Sequence, residues 1–336
     1  MKRKNLLAGI LTVGLLFSCF TQAQEIRSHV LRFSLQPPKG TSQYAGAKQF
    51  ADLVSQKSNG KMVVKVFESG TLGSDLPVLS AMIGGTIDFV LTSTGNLAGY
   101  DKSFSIFDMF FAFDNYKEAD IVVDGPVGQT LFDRLPAKGL KGLAYAELGF
   151  RHIHNSKRPI MKAEDIQGLK IRTPTMAIYL DYINKLGANA ITMPFTELYQ
   201  AMEIRAIDGA TNPTDNILST HFFDVQKYLS LSRHGYGVMA FVMSGKTWKK
   251  LNADEQKIIQ EAANEARDYQ RKISRESEES NLAELRKHMQ INEIPQAELD
   301  RMREMVKPVV DKWRKEVGVG LYSQFTEELA KVRATK

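Results

Sequence analysis

Between Val30 and Leu91 the sequence switches repeatedly between two hydrophobic periods, and that alternation narrows the available folds more than any other feature of the chain. Val30 to Leu35 and Met62 to Phe67 are short apolar runs of strand type. Ser42 to Lys57 sets Ala45, Ala47, Phe50, Ala51 and Val54 on one helical face. Asp75 to Ile83 reads as a second helix, closed by Gly84-Gly85 ahead of a third strand, Thr86 to Leu91. This order predicts parallel strands joined by crossover helices. A second set begins near Tyr145, with extended pieces at His152-Ile153-His154, Leu169-Lys170-Ile171, Ala190-Ile191-Thr192 and Ala206-Ile207. The helices Thr175–Leu186 and Thr196–Ile204 separate them. The expected fold is therefore α/β, with two α/β units in 336 residues and a cleft between them.

The rest of the chain links and covers these units. Val225 to Ser232 and Val238 to Met243 are apolar strand-like runs that can return the chain to the first unit. Ala253 to His288 holds no Gly or Pro, opens with Asp254 and Glu255, and mixes charges of both signs. It reads as one unusually long helix, or two end to end, lying over the surface. Asp300 to Val317, with a kink expected at Pro308, and Ser323 to Val332 read as closing amphipathic helices.

The first residues are expected to stay outside the fold. Lys2, Arg3 and Lys4 precede the apolar run Leu6 to Phe20, and Thr21-Gln22-Ala23 offers small residues for cleavage, so residues 1–23 read as a secretory signal peptide. Cys19, the one cysteine, lies inside that run. Leu16-Phe17-Ser18-Cys19 loosely resembles a lipoprotein processing site, although Phe17 is bulky for it. Cleavage after Ala23 would leave no cysteine, and a chain this long can bury a core without disulfides. Loss of the three leader cations lowers the net charge from +6 to +3. With the basic residues scattered, nucleic acid is not an expected partner.

Local signatures of catalysis fail one by one. His152 and His154 share a strand face, but no third metal ligand is anchored nearby. Gly235-Tyr236-Gly237-Val238-Met239-Ala240 fits a dinucleotide-loop spacing, yet it precedes a strand where that loop must open a helix. No phosphate-loop, nucleophile-elbow or HExxH pattern occurs. A spatial Ser-His-Asp triad stays open at this level. No cofactor is expected.

What remains suits a small anion. Arg172 and Arg151 offer guanidinium forks matched to a carboxylate, and Gln36, Ser93, Asn96 and Asn212 offer neutral hydrogen bonds. Several of them follow the C-terminal ends of predicted strands, where open α/β sheets place ligands. Phe195 is a candidate apolar wall. Competing structural roles exist: Phe195 also fits a core, Asn212 before Pro213 fits a turn, and Gln36 before Pro37-Pro38 fits a solvated strand end.

Read together, Leu31-Arg32-Phe33, Thr71-Leu72-Gly73, Gly85-Thr86-Ile87-Asp88-Phe89, Gly149-Phe150-Arg151, Gly168-Leu169-Lys170-Ile171-Arg172, Met193-Pro194-Phe195-Thr196-Glu197-Leu198-Tyr199 and Phe223-Asp224-Val225-Gln226-Lys227-Tyr228 resemble the solute-binding proteins of TRAP (tripartite ATP-independent periplasmic) transporters, DctP type. The match runs from Val30 to the C-terminus. The resemblance implies a two-lobed periplasmic binding protein with a long helix spanning both lobes. Lobe I would take residues 24–147 plus about 237–277, and lobe II residues 148–236 plus about 278–336. It implies that Arg172 clamps a ligand carboxylate, Arg151 supports it, Phe195 lines the pocket and Asn212 hydrogen-bonds the ligand, with Gln36 after the first strand. Ser93 stands where sialic acid binders carry glutamate, which points away from sialic acid. The segments around Ser93–Gly99 and Ala144–Arg151 look like the sugar-acid branch, with Glu147, Asn96 and His234 as candidates for ligand hydroxyls. Glu147 has a competing role as the internal partner of Arg151. The implied protein is a periplasmic monomer that hands a carboxylate such as a uronate or aldonate to TRAP permease membrane subunits. A C4-dicarboxylate binder, a ligand sensor feeding a receptor kinase and a periplasmic sugar-acid enzyme are the alternatives.

Overall fold

The computed structural model describes residues 25–335, so the leader and Cys19 lie outside the described residues. Among the described residues nine strands form one mixed sheet. β1 (His29–Leu35), β2 (Met62–Phe67) and β3 (Phe89–Ser93) are parallel in the order β2-β1-β3. α1 (Ser42–Lys57) and α2 (Asp75–Gly84) are their crossovers, as the alternating periods require. Next come β4 (Leu140–Asn155) and a second parallel set, β5 (Lys170–Thr173), β6 (Asn189–Thr192) and β7 (Gly209–Asn212), ordered β7-β5-β6. β8 (Tyr228–Ser244) follows, and β9 (Gln290–Glu293) pairs with its first residues.

Two separate sheets are not what forms. β4 and β8 are long antiparallel partners that belong to both halves: β3 pairs with Met239–Met243 of β8, and β7 pairs with His152–Asn155 of β4. Tyr228–Ser232 of the first apolar run and the whole of Val238–Met243 therefore fall on one strand, and Val225–Lys227 precede it. The polar residues Arg233 and His234 interrupt its apolar period at an irregularity, where Arg233 has φ of 42° and the β4–β8 register shifts.

A bulge in β4 sets which side chains face the cleft. The β4–β8 register shifts between Glu147 and Gly149, and Gly149 has φ of 102°. Strict alternation would put Leu148 and Arg151 on opposite faces. The extra residue reverses the parity, so both line the cleft, while Glu147 turns toward the long helix.

The core packs on both sides of this sheet. Phe33, Phe50, Phe89 and Phe241 form an aromatic cluster between β1, β3, β8 and α1, with Phe50–Phe89 centroids 5.1 Å apart. The long helix Ala253–Glu276 opens with an Asn252/Glu255 capping box and lays Ala262, Ala263 and Ala266 into that core. It ends at Ser277, where a second helix, Glu278–Leu285, continues. Pro308 stays within the single helix Gln296–Val317. Among the described residues no helix is long and apolar enough to cross a membrane.

Gly149→Ala tests the bulge. An L side chain at that φ costs about 1–3 kcal/mol, so the melting temperature should fall, and ligand affinity should fall with it because Arg151 is re-aimed. A thermal melt unchanged from wild type would refute the strain argument.

Candidate functional site

The site is assembled where parallel strands end. Gln36 and Pro37 follow β1, Ser93 closes β3 with Asn96 just beyond, Pro174 to Met176 follow β5, and Asn212 closes β7. With Arg172, Arg151, Phe195 and Asp75 they enclose a space of about 790 Å³, part of it open to solvent. Of the nine residues singled out from the sequence, Arg172, Arg151, Asn212, Phe195, Gln36, Ser93 and Asn96 all line this cleft.

The two arginines set its electrostatics. Arg172 is 3% exposed and anchors Nε and Nη2 on the Met193 carbonyl at 3.0 and 2.7 Å. Arg151, also 3% exposed, bonds Thr211 Oγ1 at 3.1 Å and the Thr211 carbonyl, and lies over the Tyr179 ring. Among the described residues neither guanidinium forms an ion pair; their anchors are neutral. Burial, and next the like charge of Arg151, push the Arg172 guanidinium down to about 9, with Asp75 and Glu197 pulling the other way. Arg172 therefore stays cationic at neutral pH. Two buried, adjacent like charges without an ion-pair contact are costly, and a carboxylate in the cleft lowers that cost.

Two of the neutral groups, Gln36 and Asn216, keep an acceptor end unpartnered. Gln36 Nε2 donates to the Gly73 carbonyl at 2.9 Å, and its Oε1 is buried without a partner. Asn96 Nδ2 donates to Thr92 Oγ1 at 2.9 Å, and that hydroxyl donates to Asp75 Oδ1 at 2.6 Å. Asn216, 2% exposed, also has an unpartnered Oδ1. Asn212 differs: its Oδ1 lies 3.1 Å from His154 Nε2, which leaves its amide N–H groups for the cleft. Burial raises the Asp75 carboxyl, opposed first by the Thr92 bond and then by Arg172.

Two expectations need correction. Glu147 does not line the cleft, and its partner is not Arg151. Its Oε2 accepts from Arg275 at 2.7 and 3.0 Å and from the Tyr236 hydroxyl at 2.8 Å. His234 is buried beneath Phe110, with Nδ1 2.6 Å from Ser232 Oγ, and it too is away from the lining. His152 and His154 serve as internal polar groups, and among the described residues no cluster of three metal-ligating side chains occurs.

Sequence reasoning missed Asp75, Thr175, Met176, Asn216 and Met239, which share the lining. An acid in the first turn of a helix reads as a dipole partner, which hid Asp75. Asn216 carried a usable signal, because it sits four residues past Asn212, within the helix Thr214–Ser219.

A two-sided α/β sheet with a cationic, acceptor-lined cleft at its strand ends defines a binding protein for organic anions. The chain belongs to the bacterial extracellular solute-binding protein family 7, whose model matches residues 33–316. It is a periplasmic solute-binding protein, not an enzyme. It is 34% identical over 279 residues to the 2,3-diketo-L-gulonate-binding periplasmic protein YiaO of Escherichia coli, covering 83% of this chain and 84% of that one. The sugar acid binding protein DctPAm of Advenella mimigardefordensis, solved with galactonate, superposes with a TM-score of 0.90 at 39% identity, over 91% of this chain and 99% of that one. A TRAP periplasmic solute-binding protein of Sulfurospirillum deleyianum, solved with succinate, gives 0.86 at 28% identity, over 89% and 99%.

Glu147→Ala separates a structural role from a ligand contact. Removing one member of a buried, hydrogen-bonded pair costs about 3–5 kcal/mol, read as a lowered melting temperature. Ligand affinity in the folded fraction should change by less than about threefold, as for sites that share no partner. A large loss of affinity measured by calorimetry would return Glu147 to the cleft.

Proposed function

We propose that the protein captures a hydroxylated monocarboxylate, a sugar acid such as an aldonate or uronate, and delivers it as a monomer to the membrane subunits of a TRAP permease. One observation carries this reading: two buried guanidiniums at the strand ends without an ion-pair partner among the described residues. The ligand carboxylate takes the remaining N–H donors of Arg172, with Arg151 and Asn212 beside it and Phe195 as an apolar wall. Gln36, Ser93 and Asn96 meet the hydroxyls.

The acceptor ends argue for hydroxyls over a second carboxylate. Gln36 Oε1 and Asn216 Oδ1 need donors, and Asp75 adds a negative or acceptor group to the same wall. A ligand hydroxyl supplies a donor. The distal carboxylate of a C4-dicarboxylate supplies none and would leave buried acceptors unpaired, which is the costly case. The galactonate and diketogulonate named for similar proteins fit this preference; the succinate of the third supports the dicarboxylate alternative.

Capture would couple to closure of two lobes. The pairing of β1–β3 with the end of β8, and of β5–β7 with the end of β4, supports residues 24–147 plus about 237–277 as one lobe and residues 148–236 plus about 278–336 as the other. The ligand drives closure through its higher affinity for the closed form, and exclusion of water strengthens the arginine–carboxylate pair.

Calorimetry with galactonate, galacturonate and succinate tests the reading. Arg172→Ala should abolish detectable binding, a loss of at least about 100-fold. Arg172→Lys should recover little, because an ammonium lacks the bidentate fork. Near-native affinity in Arg172→Ala sinks the clamp, and succinate binding tighter than both sugar acids moves the ligand to the dicarboxylates.

A further inference from the structure

Behind the cleft wall lies a carboxyl group that the clamp does not use. Asp108 ends the three-ten segment Lys102–Asp108 and is 4% exposed. Its Oδ2 has no hydrogen-bond partner. The wall is thin here: a Cβ placed on Gly95 would collide with both Asp108 Oδ2 and Met176 Sδ, and Met176 and Asn96 face the ligand space. On its other side Asp108 meets the Tyr179 hydroxyl, and the Arg151 guanidinium lies 5.2 Å from the centre of the Tyr179 ring. The carboxyl is thus coupled to one of the two cations that attract the ligand, yet it forms no ion pair with it.

We propose that Asp108 is a proton-binding residue of this cleft, so that the organic anion is captured together with a proton that Asp108 takes from solvent. The proposal rests on the arginine clamp described above, and Asp108 acts through Arg151 as a positioning residue. When ionised, Asp108 offsets the charge of Arg151, and its free oxygen lacks a donor. When protonated, it leaves Arg151 unopposed for the ligand. A carboxylate bound at Arg172 and Arg151 adds negative charge nearby and favours the proton further, so the two bind cooperatively.

The surroundings single out this group. Burial pushes the Asp108 carboxyl up to about 7, against the pull first of Arg151 and then of the Tyr179 bond. Tyr179 and Tyr182, on the facing helix Ala177–Lys185, are raised by burial and stay neutral. His152 on β4 and His234 on β8 are pushed down by burial, His152 to about 3, and stay neutral as well. Tyr322, on the closing helix Val319–Ala334, is raised. Lys312 and Glu316 of the helix Gln296–Val317 are committed to Asp181 and Lys102 at the surface. Asp101 and Arg134 sit at the opposite end of the three-ten segment. Asp75, across the cleft at Arg172, is the rival acid.

Two measurements test the proposal. In the ligand-free protein, the carboxyl carbon resonance that disappears in Asp108→Asn should titrate near pH 7; a midpoint below about 5, close to the ordinary aspartate value, overturns it. In calorimetry with galactonate at pH 7, the apparent enthalpy should depend on the buffer's ionisation enthalpy with a slope of about 0.4 proton taken up, the value for a one-unit rise from 7. The wild-type Kd should weaken up to about tenfold from pH 6 to pH 8.5 and stay flat in Asp108→Asn. A zero slope in wild type, a slope retained in Asp108→Asn, or a slope lost only in Asp75→Asn overturns it. If galactonate does not bind at all, the sugar-acid reading fails, and the ligand-free titration still decides the role of Asp108.

Discussion

Arg151 and Arg172 lie buried close together with neutral anchors, and the rest of the structure is arranged to hold that unfavourable pair in place. The Met193 and Thr211 carbonyls orient the two guanidiniums without cancelling their charge. A carboxylate in either anchoring position would have made a more stable apo-protein and a poor receptor. Burial, and next the like charge of Arg151, depress Arg172, a cost of the kind that functional sites keep at the expense of stability.

The opposite arrangement holds on the far side of the sheet. Arg271 pairs with Asp124 at 2.6 and 2.9 Å, and Arg275 pairs with Asp120 and Glu147. These pairs fasten the long helix to β4 and to the neighbouring helix Tyr116–Val123. In that network most carboxylates touch a cation; in the cleft, among the described residues, neither arginine forms an ion-pair contact. The β4 bulge is what separates the two settings, since it sends Glu147 to the helix and Arg151 to the ligand within five residues.

How far the sequence carried this picture follows from where periodicity survives. β1, α1, β2 and α2 were legible because each is an uninterrupted run of one period. β4 and β8 were not, because their middles carry charged residues and register shifts that end the apolar pattern without ending the strand. Residues 94–139 gave little signal, being built largely from three-ten segments and short helices that lack a repeated face. The place of Glu147 is hidden in a similar way: simple alternation puts it on one face with Arg151, and the register shift at Gly149 undoes that parity. Gln36, Ser93, Asn96, Phe195 and Asn212 close a strand or follow its end, which sequence order alone reveals, whereas Arg151 lies within β4 and Arg172 within β5. Asp75 and Asn216 reach the cleft from helix starts, where polar residues are expected for local reasons.

Affinity and selectivity then fall to different parts of the same wall. The arginines attract any small carboxylate, because charge acts at a distance and tolerates misfit. Under the sugar-acid reading the amides would discriminate, because one N–H of Gln36 is tied to Gly73 and one of Asn96 to Thr92, which fixes how each amide is turned. An untied amide could rotate to offer N–H groups to a second carboxylate, and the preference would vanish. The proposed selectivity for hydroxyls would thus depend on two bonds that never touch the ligand. The backbone turn at Gly73 and the Thr92–Asp75 bond beside it are as much a part of the recognition surface as the residues that face the cleft.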